Sequence, residues 1–410
     1  MPGTLDILIE PTADATIAVA ARALPARPGV VAFEADDGRT VLLAATGDLR
    51  RFALTRLGQH DDDTPAKRED LSGITARLRA RIVGSSFEGD ALYLEQARWR
   101  LPATYRSVLD TRRAWFVQLD ADAQTPLWRK LDVVGATARG EKLDPRTLLG
   151  PIGDKDAAGR FGERLDDLFD LCRYPKELEA TPNGRACAYK EMGRCDAPCD
   201  GSAPMDDYRA RVRDAVRFAS QPTELTASAI ESRMARASAD QDFELAASLK
   251  DRLERVRNSA RPATAWTTCL DTLRVLAVMP STKRGWARLL VCDARRIVPY
   301  ADARGDLSRD EIRSLIDSMT AFLSAPEHGG ALEPDQAEGL GLLSHHLFHP
   351  KRGAGAMLRL APAPDASALG TLIRRAARVR ENGADAPREE LEAELGAEIR
   401  PPSDQDLGSP

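Results

Sequence analysis

No apolar run in this sequence approaches the roughly 18–20 residues that a membrane-spanning helix needs. The opening stretch, MPGTLDILIEPTADATIAV, has no basic segment followed by an apolar one, so a secretory signal is not expected. Both absences point to the cytoplasm, a reducing compartment in which disulfides are disfavoured. A basic excess is missing too. With 58 Lys and Arg against 63 Asp and Glu, the formal net charge is −5. A protein that holds DNA by phosphate contacts alone is usually basic overall, so this one would need a local basic patch or a partner that brings it there. Internal repeats and a Walker-type phosphate loop are also absent. What remains is a soluble composition, 43% hydrophobic and 30% charged. At 410 residues it has room for roughly two to four cores.

Cysteine is scarce but not scattered. Four of the six cysteines, Cys172, Cys187, Cys195 and Cys199, follow the spacing C-x14-C-x7-C-x3-C. Thiolates select soft metals, so an all-cysteine set of four points to zinc or an iron–sulfur cluster. Pro175, Pro182, Gly184, Gly193, Pro198 and Gly201 punctuate the stretch and favour loops that curl around a centre. Arg173, Lys176, Arg185, Lys190 and Arg194 crowd it, placed to offset thiolate charge or meet phosphates. The plainer readings are two structural disulfides or unrelated buried thiols. Cys269 and Cys292 sit in apolar strand-like runs and read as core thiols.

Along the chain, VVAF and TVLLAA are β-rich runs around the turn signal ADDGR, and GDLRRFALTRL follows as a helix that Asp48 can cap. EGDALYLEQARWRL has helical spacing, with Glu95 one step off the apolar face. AWFVQLD and KLDVVGATA read as strands. Downstream, ELTASAIESRMARASADQDFELAASLKDRLERVRNSA carries two helical patterns joined by SADQD, with Asp240 and Asp242 as candidate caps. Their apolar stripes are too narrow to be buried by the pair alone, so a partner surface is expected. The region LDTLRVLAVMPSTKRGWARLLVCDARRIVPYAD reads as a β-rich unit with a turn at STKRG, followed by the amphipathic helix RDEIRSLIDSMTAFLS. His345, His346 and His349 have a spacing compatible with a metal but are more simply a helix end whose positive charge suits the C-terminal dipole.

Hairpin, basic helix, Glu-bearing helix and cysteine run in this order resemble the N-terminal half of the UvrC family, the nuclease subunits of bacterial nucleotide excision repair. RPGVVAFEADDGR is similar to the first strand and hairpin of the family's GIY-YIG endonuclease domain, LLGPI resembles a short motif ahead of its cysteines, and RACAYKEMGRCDAPCDG is the nearest match. The resemblance implies a [4Fe–4S] cluster on Cys172, Cys187, Cys195 and Cys199, with zinc as the alternative. It implies a metal-binding role for Glu95 on Mg²⁺ or Mn²⁺ if the domain cuts, with Arg50 or Arg51 facing the phosphate charge. The departures are specific. Val31 and Leu43 stand where the family has the two tyrosines that activate and orient water, and neither carries a titratable atom. Ala45 and Thr46 replace a glycine and a lysine. FELAASLKDRLERV resembles the UVR motif, which implies docking on a UvrB-like helicase through Phe243, Ala246, Ala247, Leu249, Lys250 and Leu253, with Arg252 and Glu254 at the rim. An intramolecular hairpin on the chain's own core is the alternative.

The expected architecture is α+β and multidomain. It comprises a degenerate GIY-YIG-like domain (1–110), a cysteine-cluster domain (111–220), a UVR hairpin (221–260), a β-rich and helical linker-like domain (261–380) and a mostly disordered tail (381–410). The last 90 or so residues are too few for the RNase H-like and helix-hairpin-helix domains that follow in the family. The expected function is excision repair through UvrB at damaged double-stranded DNA, with incision in doubt. A non-catalytic adaptor and an iron–sulfur redox-responsive binding protein are the alternatives.

Overall fold

The computed structural model describes residues 4–58, 69–108, 112–221, 223–257, 261–324, 330–350, 355–360 and 363–379. The tail expected from 381 lies outside them. Near the N-terminus, β1 (Ile7–Ile9), β2 (Gly29–Glu34), β3 (Thr40–Thr46) and β4 (Arg77–Ile82) form an antiparallel sheet in the order β1-β4-β2-β3. Because successive side chains on a strand point to opposite faces, this sheet separates two small cores. Val31, Phe33, Leu78 and Ala80 face the Leu49–Arg56 helix through Leu49 and Ala53. Val30, Ala32, Leu43 and Val83 face the Ser86–Arg100 helix through Leu92 and Ala97. Asp48 caps the first helix as expected, its Oδ1 accepting from the Arg51 N–H at 2.9 Å. Gly29 is required by packing: a Cβ there would lie 2.4 Å from the Arg81 carbonyl and 2.6 Å from Leu49.

The middle of the chain contributes β5 (Trp115–Gln118), β6 (Arg129–Asp132) and β7 (Leu148–Ile152), joined by β8 (Thr268–Cys269) in the order β6-β5-β7-β8. KLDVVGATA, expected as a strand throughout, pairs only as far as Asp132. The Asp132 Oδ1 then accepts from the Val134 N–H at 3.2 Å and starts the Val133–Ala138 helix. A cap overrides the β-preference of the valines. One face of this sheet, through Val117, Leu149 and Ile152, packs on the Lys155–Phe169 helix, the Met205–Ala219 helix and the hairpin. Since β8 follows the hairpin in sequence, the chain returns to close the middle sheet beyond residue 261.

The last sheet, β9 (Arg274–Pro280), β10 (Trp286–Asp293), β11 (Ile297–Arg304) and β12 (Ala356–Arg359), has the order β11-β10-β9-β12 and is antiparallel. The Arg309–Ser324 and Ala366–Arg378 helices cover one face, and the Pro334–Phe348 helix packs against the other. Among the described residues no helix is long and apolar enough to cross a membrane.

Candidate metal centre and docking hairpin

The Lys155–Phe169 helix ends at Asp170 in a left-handed conformation (φ 49°), which turns the chain into the cysteine loops. Short helical turns at Pro175–Glu179, Ala188–Glu191 and Pro198–Asp200 place the four cysteines in sequence around them. The loops close on themselves at Gly184, whose N–H donates to the Cys199 carbonyl at 2.9 Å. A Cβ on Gly184 would lie 2.3 Å from the Glu177 carbonyl, so only glycine permits this approach. Ala197 also adopts a left-handed conformation (φ 53°), and its N–H donates to the Cys195 sulfur at 3.4 Å.

Cys172, Cys187 and Cys195 line one cavity of about 20 Å³, together with Asp166, Asp170, Tyr189 and Arg194. Cys199 is buried beside them. Burial pushes the Cys172 thiol up to about 11, and the neighbouring thiols of Cys195, Cys199 and Cys187 add to the rise. Burial likewise raises Cys199, helped by Asp200 and Cys195. All six cysteines are free thiols, and Cys269 and Cys292 lie buried elsewhere, as expected. The donor set fits a soft metal. Four thiols held by neighbouring loops, three of them lining one small cavity, are groups a metal would deprotonate and bind. Among the described residues, no three His, Cys, Asp or Glu side chains already stand as a closed ligand set.

Much of the basic crowd around the cysteines is engaged locally. Arg173 pairs with Asp167, Lys190 with Asp200 at 2.8 Å, and Arg194 with Asp170 at 3.6 Å. Asp166 went unnoticed in the sequence. It sits on the buried face of its helix, where desolvation raises its carboxyl to about 7 despite a 2.8 Å hydrogen bond from the Trp128 indole N–H. The available signal was an acidic residue among Phe161, Leu165 and Phe169 at helical spacing.

The hairpin consists of helices Thr223–Ala239 and Phe243–Arg257. Asp242 caps the second, its Oδ1 accepting from the Leu245 N–H at 3.0 Å. Leu249, Leu253 and Val256 are buried in one cluster with Ala227, Ile230, Leu165, Leu168 and Phe169. The Arg252 guanidinium lies over the Phe169 ring at 4.8 Å, and Arg255 donates to the Asp167 carbonyl at 2.6 Å. The proposed docking set therefore divides. Leu249 and Leu253 are core residues of this chain. Phe243 is 69% exposed, and Ala247 and Lys250 are exposed on the same helix face, with Ala246 half-buried.

The N-terminal lobe separates the other expected residues. Val31 and Leu43 are buried on opposite faces of the sheet. Glu95 is exposed on the Ser86–Arg100 helix. Arg50 and Arg51 belong to the helix on the other face, with the Arg50 Nε donating to the Leu24 carbonyl at 2.6 Å. The three histidine rings form a row, with His345 between His346 at 5.4 Å and His349 at 5.0 Å. The His346 Nε2 sits 2.9 Å from Asp90. Burial, aided by Arg112, lowers His345 to about 4, so it is neutral at pH 7 and does not place the expected positive charge at the helix end.

These features define a mixed α/β protein with a four-thiol loop module joined to a two-helix hairpin. The family described as UvrC/Cho excinuclease, middle domain, matches residues 125–218, and the UvrB/uvrC motif matches residues 226–259. UvrABC system protein C of Natronomonas pharaonis is 30% identical over 57% of this chain and 38% of its own length. The proteins of the same name from Cereibacter sphaeroides and Jannaschia sp. are 29% and 32% identical. They are covered over 29% and 19% of their lengths by 45% and 29% of this chain. No solved structure matches. Over these segments the chain is similar to UvrC-family proteins, and it spans well under half the length of the curated relatives it matches.

Proposed function

We propose that this protein is a docking subunit of nucleotide excision repair. It engages a UvrB-like helicase through the outer face of the hairpin and does not itself cut with its N-terminal lobe. The observation that carries the proposal is the division of the second hairpin helix. One side is core, and the other presents Phe243, Ala247 and Lys250 to solvent next to a cysteine module matched to the same family. A large exposed aromatic beside small residues is the composition of a helix-in-groove anchor. Damaged double-stranded DNA is then reached through the complex. The doubt about incision rests on Val31 and Leu43 as core residues and on Glu95 lying across the sheet from Arg50 and Arg51.

In this reading Cys172, Cys187, Cys195 and Cys199 hold a [4Fe–4S] cluster, which when bound cross-links the loops and supplies a one-electron couple. The chain's own part is to order the loops at Gly184 and Ala197, to give a backbone N–H to the Cys195 sulfur and to keep the site half-shielded from water. Anaerobic purification with metal analysis tests this: a colourless protein with stoichiometric zinc would replace the cluster. The decisive functional test is a damaged-duplex incision assay with UvrA and UvrB, with and without this protein. The proposal expects UvrB capture that Phe243→Ala or Ala247→Arg weakens at least tenfold, and no Mg²⁺-dependent or Mn²⁺-dependent nicking. Nicking that Glu95→Ala abolishes would overturn the non-cutting part.

A further inference from the structure

The sheet that lost its expected catalytic pattern carries a different one. On β4, Leu78 and Ala80 point into the core, so Arg77, Arg79 and Arg81 all point to the other face. The register sets Arg77 opposite Glu34, Arg79 opposite Ala32 and Arg81 opposite Val30. The stride between these arginines is about 7 Å, close to the repeat of a stretched nucleotide backbone. Glu34 is 5% exposed. It accepts from the Arg77 Nε at 2.9 Å and from Arg100 at 2.6 Å, with the Arg79 Nε 3.4 Å away. Arg77 also reaches Glu10 at 3.9 Å, and Arg81 donates to the neutral Thr4 carbonyl at 3.3 Å. Four guanidiniums thus stand with Glu34, Glu10 and, where the register continues past Ile7, Asp6 opposite Arg81, which leaves one positive charge in excess on a chain whose net charge is −5.

The second observation is aromatic. Trp99 is 61% exposed and lies on the guanidinium of Arg100, 4.9 Å from the ring centre. Arg100 is itself fixed, with its side chain only 7% exposed and hydrogen bonds to Glu34 and to Gln96 at 2.8 Å. A buried cation therefore orients the indole, and its broad surface remains open to solvent beside the arginine row. Rigid aromatic platforms next to regularly spaced cations are how proteins hold single strands without reading sequence.

We propose that this face binds a single-stranded nucleic acid, with phosphates on Arg77, Arg79 and Arg81 and a base stacked on Trp99. The inference does not rest on the docking reading, because UvrB capture is read separately. The test is fluorescence anisotropy of the full-length chain with a labelled mixed-sequence single strand and, in parallel, its duplex. Trp99→Ala is expected to weaken single-strand binding about tenfold and to leave the duplex unchanged. Arg81→Glu, which touches no buried carboxylate, is expected to weaken it further. Arg81→Ala should lower the slope of log affinity against log salt by about 0.7. Three results would each overturn the proposal: no single-strand binding by the parent chain, unchanged affinity in both Trp99→Ala and Arg81→Glu at unchanged melting temperature, or an equal loss for strand and duplex in Trp99→Ala.

Discussion

The N-terminal lobe and the cysteine module were both expected to hold reactive residues, yet they treat these positions in opposite ways. In the lobe, Val31 and Leu43 complete two separate hydrophobic cores, and the carboxylate and guanidinium expected to work together lie across a sheet from each other. In the module, none of the four thiols is in a disulfide, three of them line one small cavity, and burial raises the pKa of Cys172 and Cys199. A position given over to packing is satisfied without a ligand, whereas a position left polar and half-buried still needs one. Chemistry therefore persists in this chain where packing is incomplete.

The comparison breaks most easily at the sulfurs. Cys195→Ser combined with Cys199→Ser should abolish metal retention, read by metal analysis after desalting, because binding free energies of such sites are on the order of 10 kcal/mol. Full retention would mean the module is no centre at all. Restoring the missing tyrosines is the converse test. Val31→Tyr with Leu43→Tyr should cost about 2–5 kcal/mol of stability by overpacking two cores, with no gain of nicking. A stable, active double variant would show that the lobe still keeps a site.

Within the hairpin, Leu253→Ala should destabilise the chain by about 2–4 kcal/mol, since a core methyl cluster is emptied. Phe243→Ala should shift stability by no more than about 0.5 kcal/mol while weakening capture of UvrB. Denaturant melts and pull-downs on both variants distinguish a docking face from a structural one.

The smallest effects are in pH. In the metal-free protein the native Cys172 thiol, raised to about 11, holds a proton that the unfolded chain releases at about 8.5, so the native state binds more protons in that window. Stability should be at its full value below about pH 8.5 and fall as pH rises toward 11. Asp166 acts in the same direction at lower pH. Its carboxyl is raised to about 7 mainly by burial, so Asp166→Asn should stabilise the metal-free chain by on the order of 1 kcal/mol at pH 8 and by little at pH 4. Melting temperatures across pH 4–10.5 test both.

The elements that sequence reasoning reached were those marked by local signals. The ADDGR turn, the Asp48 and Asp242 caps and the helical stripes of the hairpin all form where their residues indicate. The errors lie where a neighbouring cap or a distant contact outranks a residue's own preference. VVGATA is β-rich by composition but becomes helix behind Asp132. Leu249 and Leu253 look like anchors for a partner but pack on Phe169, about eighty residues earlier in the chain, in the same cluster. His345 carries the right residue type for a charged helix end but is neutralised by burial beside Arg112.

By itself the sequence determined that four cysteines, a soft donor type, fall in one short stretch, and periodicity and caps specified the hairpin. Only the tertiary structure decided which face of each element is free. A sheet assigns alternate residues to opposite sides, so whether Glu95 can meet Arg50 or Arg51, whether a leucine serves a partner or the core, and whether Arg77, Arg79 and Arg81 stand beside Trp99 depend on what packs above and below.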